Sequence, residues 1–369
     1  MTDQQIDVQV PTSTVPPGRL TLDNLRDHCA AVLVAAGLVE HQAWLVADSL
    51  VDAEARGISS HGVNRTRIYA ERLRAGMLAA GAEPEVVKDR PGSVQIDAHN
   101  AIGHVGASAG MKLAIARAAE VGTCAVGVAN SNHCGTLAYF TRQAAAQGLV
   151  AIAMSTAPTT MVYFGGRTRA VGTNPLSMAV PRPDGPPIVV DMATSAVARG
   201  KISLAHQLGQ EIPEGWAVDK DGVPTTDAAT ALAGSVVPFS GPKGSGLAMM
   251  IDLLAGAMVA GAWGDGIGNM YEDWTRAQRV GHLFIVLDPD AWSGREGFMA
   301  QVGDFARHLH DLPPAGGFDE VLLPGEVEER SYRKARDEGV ALPLEIVTDL
   351  DDIAREVGIE GRLSNLLSR

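Results

Sequence analysis

The chain has 369 residues, 46% of them apolar and 20% charged, the balance of a folded protein with a large core and not of a disordered or fibrous one. Acidic residues outnumber basic ones 43 to 30, a net charge of −13, which argues against nucleic acid or an anionic membrane as the main partner while leaving room for a locally positive pocket. Three cysteines without metal-site spacing, Cys29, Cys124 and Cys134, fit a reducing cytoplasm and no disulfide framework.

Residues 1–19 lack the basic and apolar regions of a signal peptide and are expected as a flexible lead-in. Helical patterns follow over 20–90. In "TLDNLRDHCAAVLVAAG" an apolar stripe runs through Leu22, Leu25, Cys29, Val32, Leu33 and Ala36, with Thr21 as N-cap and Gly37 as stop. A second helix ends at Gly57, and a third is expected to carry "SHGVNRTRIY" and end near Gly76. After Pro91 the texture becomes α/β: β-rich runs such as "SVQIDA", "CAVGVAN", "LVAIAMS", "LSMAV" and "PIVVDMA", with helices over 104–121 and 135–147. A helix over about 245–262, a strand "HLFIVL", a helix near 295–310, a strand "EVLLPG" and a charged helical tail complete the pass. The stretch Gly246–Gly264 is apolar but holds Asp252 and many Gly and Ala, so it reads as a buried helix and not a membrane span.

Six stretches could carry chemistry. His61, Arg65 and Tyr69 recur every four residues, and on a helix they would share one face. That face suits a small carboxylic acid, or is simply a solvated surface. His133 in "NSNHCG" follows a strand and precedes a helix, where α/β sheets bind ligands; a lone histidine there is also commonly structural. "GTNPLSMAVP" holds Thr173 in a rigid turn. In "VVDMATSAVARGK" a strand ends at Asp191, and Thr194 or Ser195 either caps a helix or leaves amides for a phosphate or ribose. "PFSGPKGSGL" sets glycines and Lys243 before a helix, which favours an anion or is merely a packed turn. "LLPGEVEE" says little alone. No GxGxxG, HExxH, CxxC or GxSxG occurs, so the usual dinucleotide fingerprint and the zinc, dithiol and α/β-hydrolase readings lose support.

Together and in order, "SHGVNR", "SNHCG", "GTNPLSMAVP", "DMATSAVARGKI", "IPEGWAVDKDGVPTTD", "GPKGSGLAMMIDLL" and "LLPGE" closely resemble the type 2 malate/L-lactate dehydrogenase family over about 20–340. That family includes sulfolactate, ureidoglycolate and diketogulonate oxidoreductases and Δ1-piperideine-2-carboxylate reductases. The resemblance implies an α/β fold that binds NAD(H) or NADP(H) without a Rossmann domain, a small carboxylic acid substrate and a homodimer. It implies a helical domain from 20–90 plus about 245–310, a cofactor-binding α/β domain from 91–244 plus about 311–340, and a tail over 341–369. Proton transfer falls to His61 or His133, with His61 favoured for sharing a face with Arg65. Arg65, Tyr69 and Thr173 would contact substrate. Asp191, Met192, Ala193, Thr194, Lys243, Gly244, Gly325 and Glu326 would contact cofactor; no metal is implied. The reading is hydride transfer with a 2-hydroxy or 2-keto acid, the alternatives being reduction of a cyclic imino acid or an inactive NAD(P)-binding protein. Two departures stand out: Ser245 where the family has tyrosine, and Cys134 where an aromatic is common.

Overall fold

The computed structural model describes residues 18–361 and 363–366. Residues 1–17 of the expected lead-in, Arg362 and 367–369 lie outside them, while Arg19–Leu20 form a short strand against Val340–Ala341.

The N-terminal helices form as their apolar spacing demands. Thr21 Oγ1 accepts the Asn24 N–H at 3.1 Å and caps the helix Leu22–Ala35, whose buried stripe is Leu25, Cys29, Val32 and Leu33. The helices Glu40–Ala55 and Arg65–Arg74 join it in one helical core. Each large apolar side chain so buried contributes about 1.5–3 kcal/mol. The C-terminal segment enters the same core through Leu342, Val347, Leu350, Ile353 and Leu363, whereas Met270 alone enters from 245–310.

The central layer is a seven-stranded sheet ordered Glu85–Arg90, Ser93–Asp97, Thr123–Ser131, Val280–Leu287, Val150–Ser155, Leu176–Val180, Ile188–Met192. Ser93–Asp97 and Thr123–Ser131 run parallel; every other neighbouring pair is antiparallel. A dinucleotide-binding Rossmann sheet is mostly parallel, so the missing GxGxxG and the observed topology agree. Pleating sends alternate side chains to opposite faces. Phe284 packs with Met111 and Ala114 of the helix Gly103–Val121 and with Phe140 of Ala138–Ala145. Leu283 faces Ile251, Ala255 and Val259. The helix Pro242–Ile251 widens into a π-helical turn over Asp252–Ala257, and this segment covers the second face of the sheet. A smaller five-stranded sheet, flanked by the helices Arg199–Gln207 and Ala228–Ala233, forms its own core around Met161, Ile202 and Val236.

The expected strand "EVLLPG" is not one. Residues 320–325 have no regular structure, and among the described residues their one backbone hydrogen bond to the sheet edge is Pro324 O accepting Val189 N–H at 3.0 Å. Pro324 has no N–H to give a ladder, and Gly325, at φ 91°, turns the chain into the helix Glu326–Glu338.

Candidate active site

Ser59–His61 form a single 3-10 turn and the helix begins only at Arg65. His61 therefore stands ahead of the helix: Gly62 adopts extended backbone and breaks the single face expected for 61, 65 and 69. The side chains converge all the same. The ring of His61 stacks on that of His133 at 5.5 Å between centroids and 23° between planes. Tyr69 Oη lies 2.6 Å from His133 Nδ1. Arg65 Nε donates to Ser60 O at 2.8 Å. His133 is fixed from behind: the buried Asn132 donates Nδ2 to Ala101 O at 2.8 Å and Asn100 Oδ1 at 3.0 Å, and His133 N–H donates to Gln278 Oε1 at 3.1 Å.

Each imidazole thus has Nδ1 held by a hydroxyl, Ser60 Oγ at 2.9 Å for His61 and Tyr69 for His133. Neither Nε2 has a protein partner among the described residues. Burial pulls His61 down to about 4, and the Arg65 charge adds to that. Burial also pulls His133 well below the ordinary histidine range, followed by the charges of His61 and Arg65. The Tyr69 phenol is pushed up by burial and stays protonated. Arg65 has no ion pair among the described residues, and its guanidinium lies over the Tyr271 ring at 5.4 Å. An uncompensated cation beside two neutral imidazoles has the chemistry to take an anion whose reacting atom exchanges a proton.

Several contributors escape sequence reasoning. His104 is fully buried edge-on to Tyr69 at 5.5 Å, with neither ring nitrogen partnered among the described residues. His282 bonds Ser155 Oγ and Ser131 Oγ, each at 2.9 Å. Arg72, only 1% exposed, donates Nη1 to Met270 O at 3.0 Å and Asp273 O at 2.9 Å and lies over Trp274. It clamps the loop that presents Tyr271 to Arg65 and Gln278 to His133. The sequence signal was a further arginine seven residues beyond Arg65, on the same helix; its loop partners are remote in the chain.

These buried groups give a measurable acid response. Burial holds His61 and His282 near 4, His104 near 3 and His133 lower than usual, against 6.5 unfolded. The unfolded chain takes up those protons first, so stability is lost as pH falls below 6.5. Asp191 and Asp252, raised by burial to about 6 from 3.8, act oppositely, because the folded chain protonates first. His28, lowered, and Glu54, raised, offset each other. Four histidines against two aspartates leave a net uptake of about two protons on unfolding near pH 5, so stability should fall by about 2–3 kcal/mol per pH unit there. Denaturant titrations from pH 6.5 to 4.5 measure the slope. Asp252→Asn should steepen it by about 1.4 kcal/mol per unit, and a flat profile would refute the assignment.

The expected cofactor residues form a second group along the sheet edge. Asp191 Oδ2 accepts the Ala138 N–H at 2.7 Å at the start of its helix, and its charge reaches the Cys134 thiol beside His133. Met192 and Ala193 are exposed. Thr194 is fully buried with Oγ1 lacking a partner among the described residues. It caps nothing: the following helix starts at Arg199 with Ala198 as N-cap, and Ser195 Oγ donates to Val197 O. Thr173 lies against this stretch, its carbonyl accepting Thr194 N–H at 3.2 Å. Phe239 joins Thr194 to the glycine-rich loop, donating to Thr194 O at 3.1 Å and accepting from Gly244 N–H at 3.0 Å. Lys243 is exposed at the first turn of the helix. Ser245 is buried, and its Oγ accepts the Phe164 N–H at 2.8 Å, so the residue replacing the family tyrosine ties down a neighbouring loop. Gly325 shares a cleft with Asp191. The Glu326 carboxylate is occupied by Arg182 at 2.8 Å, His310 at 3.0 Å and its own Leu323 N–H at 2.9 Å.

An orphaned hydroxyl, a glycine-lined helix start with a lysine, and a strand-end carboxylate fit the phosphates and ribose of a dinucleotide. Gly244 is the tightest point. A Cβ there would meet Phe239 O at 2.4 Å, Phe239 N at 2.8 Å and Thr194 O at 2.9 Å, all backbone. Alanine in a helix gains up to about 1 kcal/mol over glycine, but overpacking against immovable backbone costs about 1–3 kcal/mol or more. Gly244→Ala should therefore lower stability by about 2 kcal/mol and weaken NADH binding; an unchanged Tm would refute the contact.

Compared with known families, residues 20–351 match the malate/L-lactate dehydrogenase model. The chain belongs to that family. It is similar to the ureidoglycolate dehydrogenase (NAD(+)) of Escherichia coli K12, 40% identical over 318 residues, covering 86% of this chain and 89% of the relative. It is likewise similar to the solved sulfolactate dehydrogenase of Methanocaldococcus jannaschii, with TM-score 0.86, 35% identity, 92% of this chain and 98% of the other covered. The Δ1-piperideine-2-carboxylate reductase of Pseudomonas syringae pv. tomato matches with TM-score 0.83 at 30% identity, covering 91% and 99%. The malate/L-lactate dehydrogenase match spans every residue of both groups described above, from His61 to Glu326.

Proposed function

We propose that this malate/L-lactate dehydrogenase family member is an NAD(P)-dependent oxidoreductase that moves a hydride between the nicotinamide and the carbon of a small 2-hydroxy or 2-keto acid. The observation that carries this is Arg65: it has no ion pair among the described residues, and it is close enough for its charge to act on both His61 and His133. The names of the relatives, ureidoglycolate and sulfolactate dehydrogenases, support an acid substrate. The reductase among the solved neighbours supports a cyclic imino acid as the second reading.

When bound, the nicotinamide supplies or accepts the hydride; the protein binds, orients and manages the proton. The terminal nitrogens of Arg65 would grip the carboxylate in a paired contact that fixes the reacting carbon. An anion there cancels part of the Arg65 field at His133 and raises its proton affinity. Sequence alone favours His61 as the proton-transfer residue; we assign it to His133, because its Nδ1 is held by the buried Tyr69 phenol and its backbone by Gln278, whereas the hydroxyl on His61 belongs to the exposed Ser60. In reduction, the imidazolium gives its Nε2 proton to the substrate oxygen and keeps Nδ1–H on the phenol oxygen. Oxidation runs the same proton back to Nε2. Asp191, Met192, Ala193, Thr194, Lys243, Gly244 and Gly325 would line the cofactor, with Glu326 bracing the turn.

We further infer a homodimer, formed through the exposed apolar side chains Met249, Met250, Leu253, Met258 and Trp263, because clustered exposed apolar side chains mark interaction surfaces. Three free thiols point to a cytoplasmic location; no helix among the described residues is long and apolar enough to cross a membrane.

Absorbance at the reduced-nicotinamide band tests the reading, with NADH and NADPH offered against oxaloacetate, pyruvate, sulfopyruvate and Δ1-piperideine-2-carboxylate, and NAD(P)+ against ureidoglycolate. Turnover of an open-chain acid supports it. Turnover of the cyclic imine alone transfers the chain to the second reading. Cofactor binding with silence across the panel would count against both.

A further inference from the structure

The cleft holding Asp191 and Gly325 is walled by apolar Ile58, Pro187 and Val189 and has charged groups from two directions. Both of its arginines are committed. Arg56 donates Nε to Asp52 Oδ1 at 3.0 Å and Nη1 to Glu329 Oε2 at 3.1 Å, under the Tyr332 ring. Arg142 pairs with the other oxygen of Asp52 and donates Nε to Ala138 O at 3.0 Å. The carboxylates are not all so engaged. Glu329 is paired, with Arg56 and Arg333, but Glu328 lines the cleft half-buried and without a hydrogen bond or ion pair among the described residues. Its charge reaches Asp191. The helix starting after Gly325 would ordinarily offer a positive end to a phosphate, yet Glu326, Glu328 and Glu329 fill its first turn.

We propose that this cleft receives the cofactor's adenosine ribose as an uncharged diol and rejects a 2′-phosphate, making the protein NADH-selective, with Glu328 as the discriminating residue. The proposal rests on the reading that Asp191 and Gly325 contact the cofactor, and extends it to which dinucleotide is taken. A carboxylate accepts a hydrogen bond from a ribose hydroxyl. A 2′-phosphate has close to two negative charges and would meet Glu328 and Asp191 with no free cation among the described residues lining the cleft to pair it. Recruiting Arg56 or Arg142 would strip Asp52 or Glu329 of a partner.

Equilibrium binding decides the matter without turnover. NADH and NADPH are titrated by fluorescence at pH 8 and low salt, where Asp191, near 6, is ionised. NADH is expected to bind at least about 30-fold tighter, a difference of about 2 kcal/mol. 5′-AMP should displace bound NADH, and adenosine 2′,5′-bisphosphate should not. Glu328→Gln removes the charge from a side chain with no hydrogen bond or ion pair among the described residues, and should narrow the gap to below about fivefold by improving NADPH. Raising salt should narrow it too. NADPH binding as tightly as NADH, or a gap untouched by Glu328→Gln, overturns the selectivity. Binding of neither dinucleotide overturns the cofactor reading of the cleft itself, an outcome distinct from a wrong preference.

Discussion

Replacing His133 with asparagine is expected to lower kcat/KM about 1000-fold in either direction, within the range that general acid–base groups supply, while leaving the Kd for NADH within about threefold. Asparagine can still meet Tyr69, whose Oη is 2.6 Å from Nδ1, but it cannot titrate. His61→Asn should cost far less, about tenfold, because in this assignment His61 only stacks on His133 and repels its proton. The pH dependence carries a sign that can be checked. Burial depresses His133 well below 6.5 in the free protein. Oxidation needs the neutral ring, so its kcat/KM should stay level through pH 6.5 and fall only in more acid solution. Reduction needs the imidazolium, so its kcat/KM should fall about tenfold per unit as pH rises above that depressed pKa. A His133→Asn protein with more than a tenth of normal activity, beside an inactive His61→Asn protein, would hand the proton to His61. Near-normal activity in both would end the acid–base proposal.

Arg65→Lys should cost about 100-fold or more in kcat/KM for the acid, chiefly as KM, with NADH binding unchanged. Lysine keeps the charge but loses three features at once: the Nε bond to Ser60 O at 2.8 Å, the flat stack on Tyr271 at 5.4 Å, and the paired terminal N–H groups. Without the first two, the ammonium is not aimed, and a misplaced carboxylate moves the reacting carbon away from the nicotinamide. Arg65→Met serves as the companion: removing the charge that lowers His133 should raise the apparent pKa of the oxidation profile. Steady-state rates on the best acid of the panel measure both. Intact turnover in Arg65→Lys would sink the carboxylate role.

The sequence was most legible where structure is local. Thr21, the stripe Leu25–Cys29–Val32 and Gly37 specify their helix through neighbours at most a few residues away, and the apolar runs at 123–131 and 280–287 became strands because nothing else would bury them. His61, Arg65, Tyr69 and His133, each inside a recognisable motif, do converge. What stayed hidden is what distance in the chain conceals. Gln278 supports His133 across 145 residues, and the Arg72 carbonyl ligands are 198 and 201 residues away. No periodicity encodes such contacts. Gly62 broke the shared helical face, and Pro324 and Gly325 undid the strand at 320–325, because a glycine frees the backbone and a proline removes a ladder donor, and either outweighs a weak local preference. The C-terminal helix looked like a charged tail because its buried residues Val347, Leu350 and Ile353 are spaced among acids.

The strand Val280–Leu287 lies in the middle of the large sheet, antiparallel to Thr123–Ser131 on one side and Val150–Ser155 on the other. Its His282 bridges hydroxyls 127 and 151 residues earlier in the chain. During synthesis those two flanking strands leave the ribosome with the gap between them unfilled. Each has an open edge until the middle strand arrives, and an open edge invites pairing with another chain. Closing such a long loop before its contacts reward it slows folding. The candidate site, whose His133 is held by Gln278 just ahead of this strand, and the sheet should therefore be completed together and late. The nascent chain should depend on chaperones over this interval, and a truncation that removes 280–287 should aggregate instead of folding to a smaller unit.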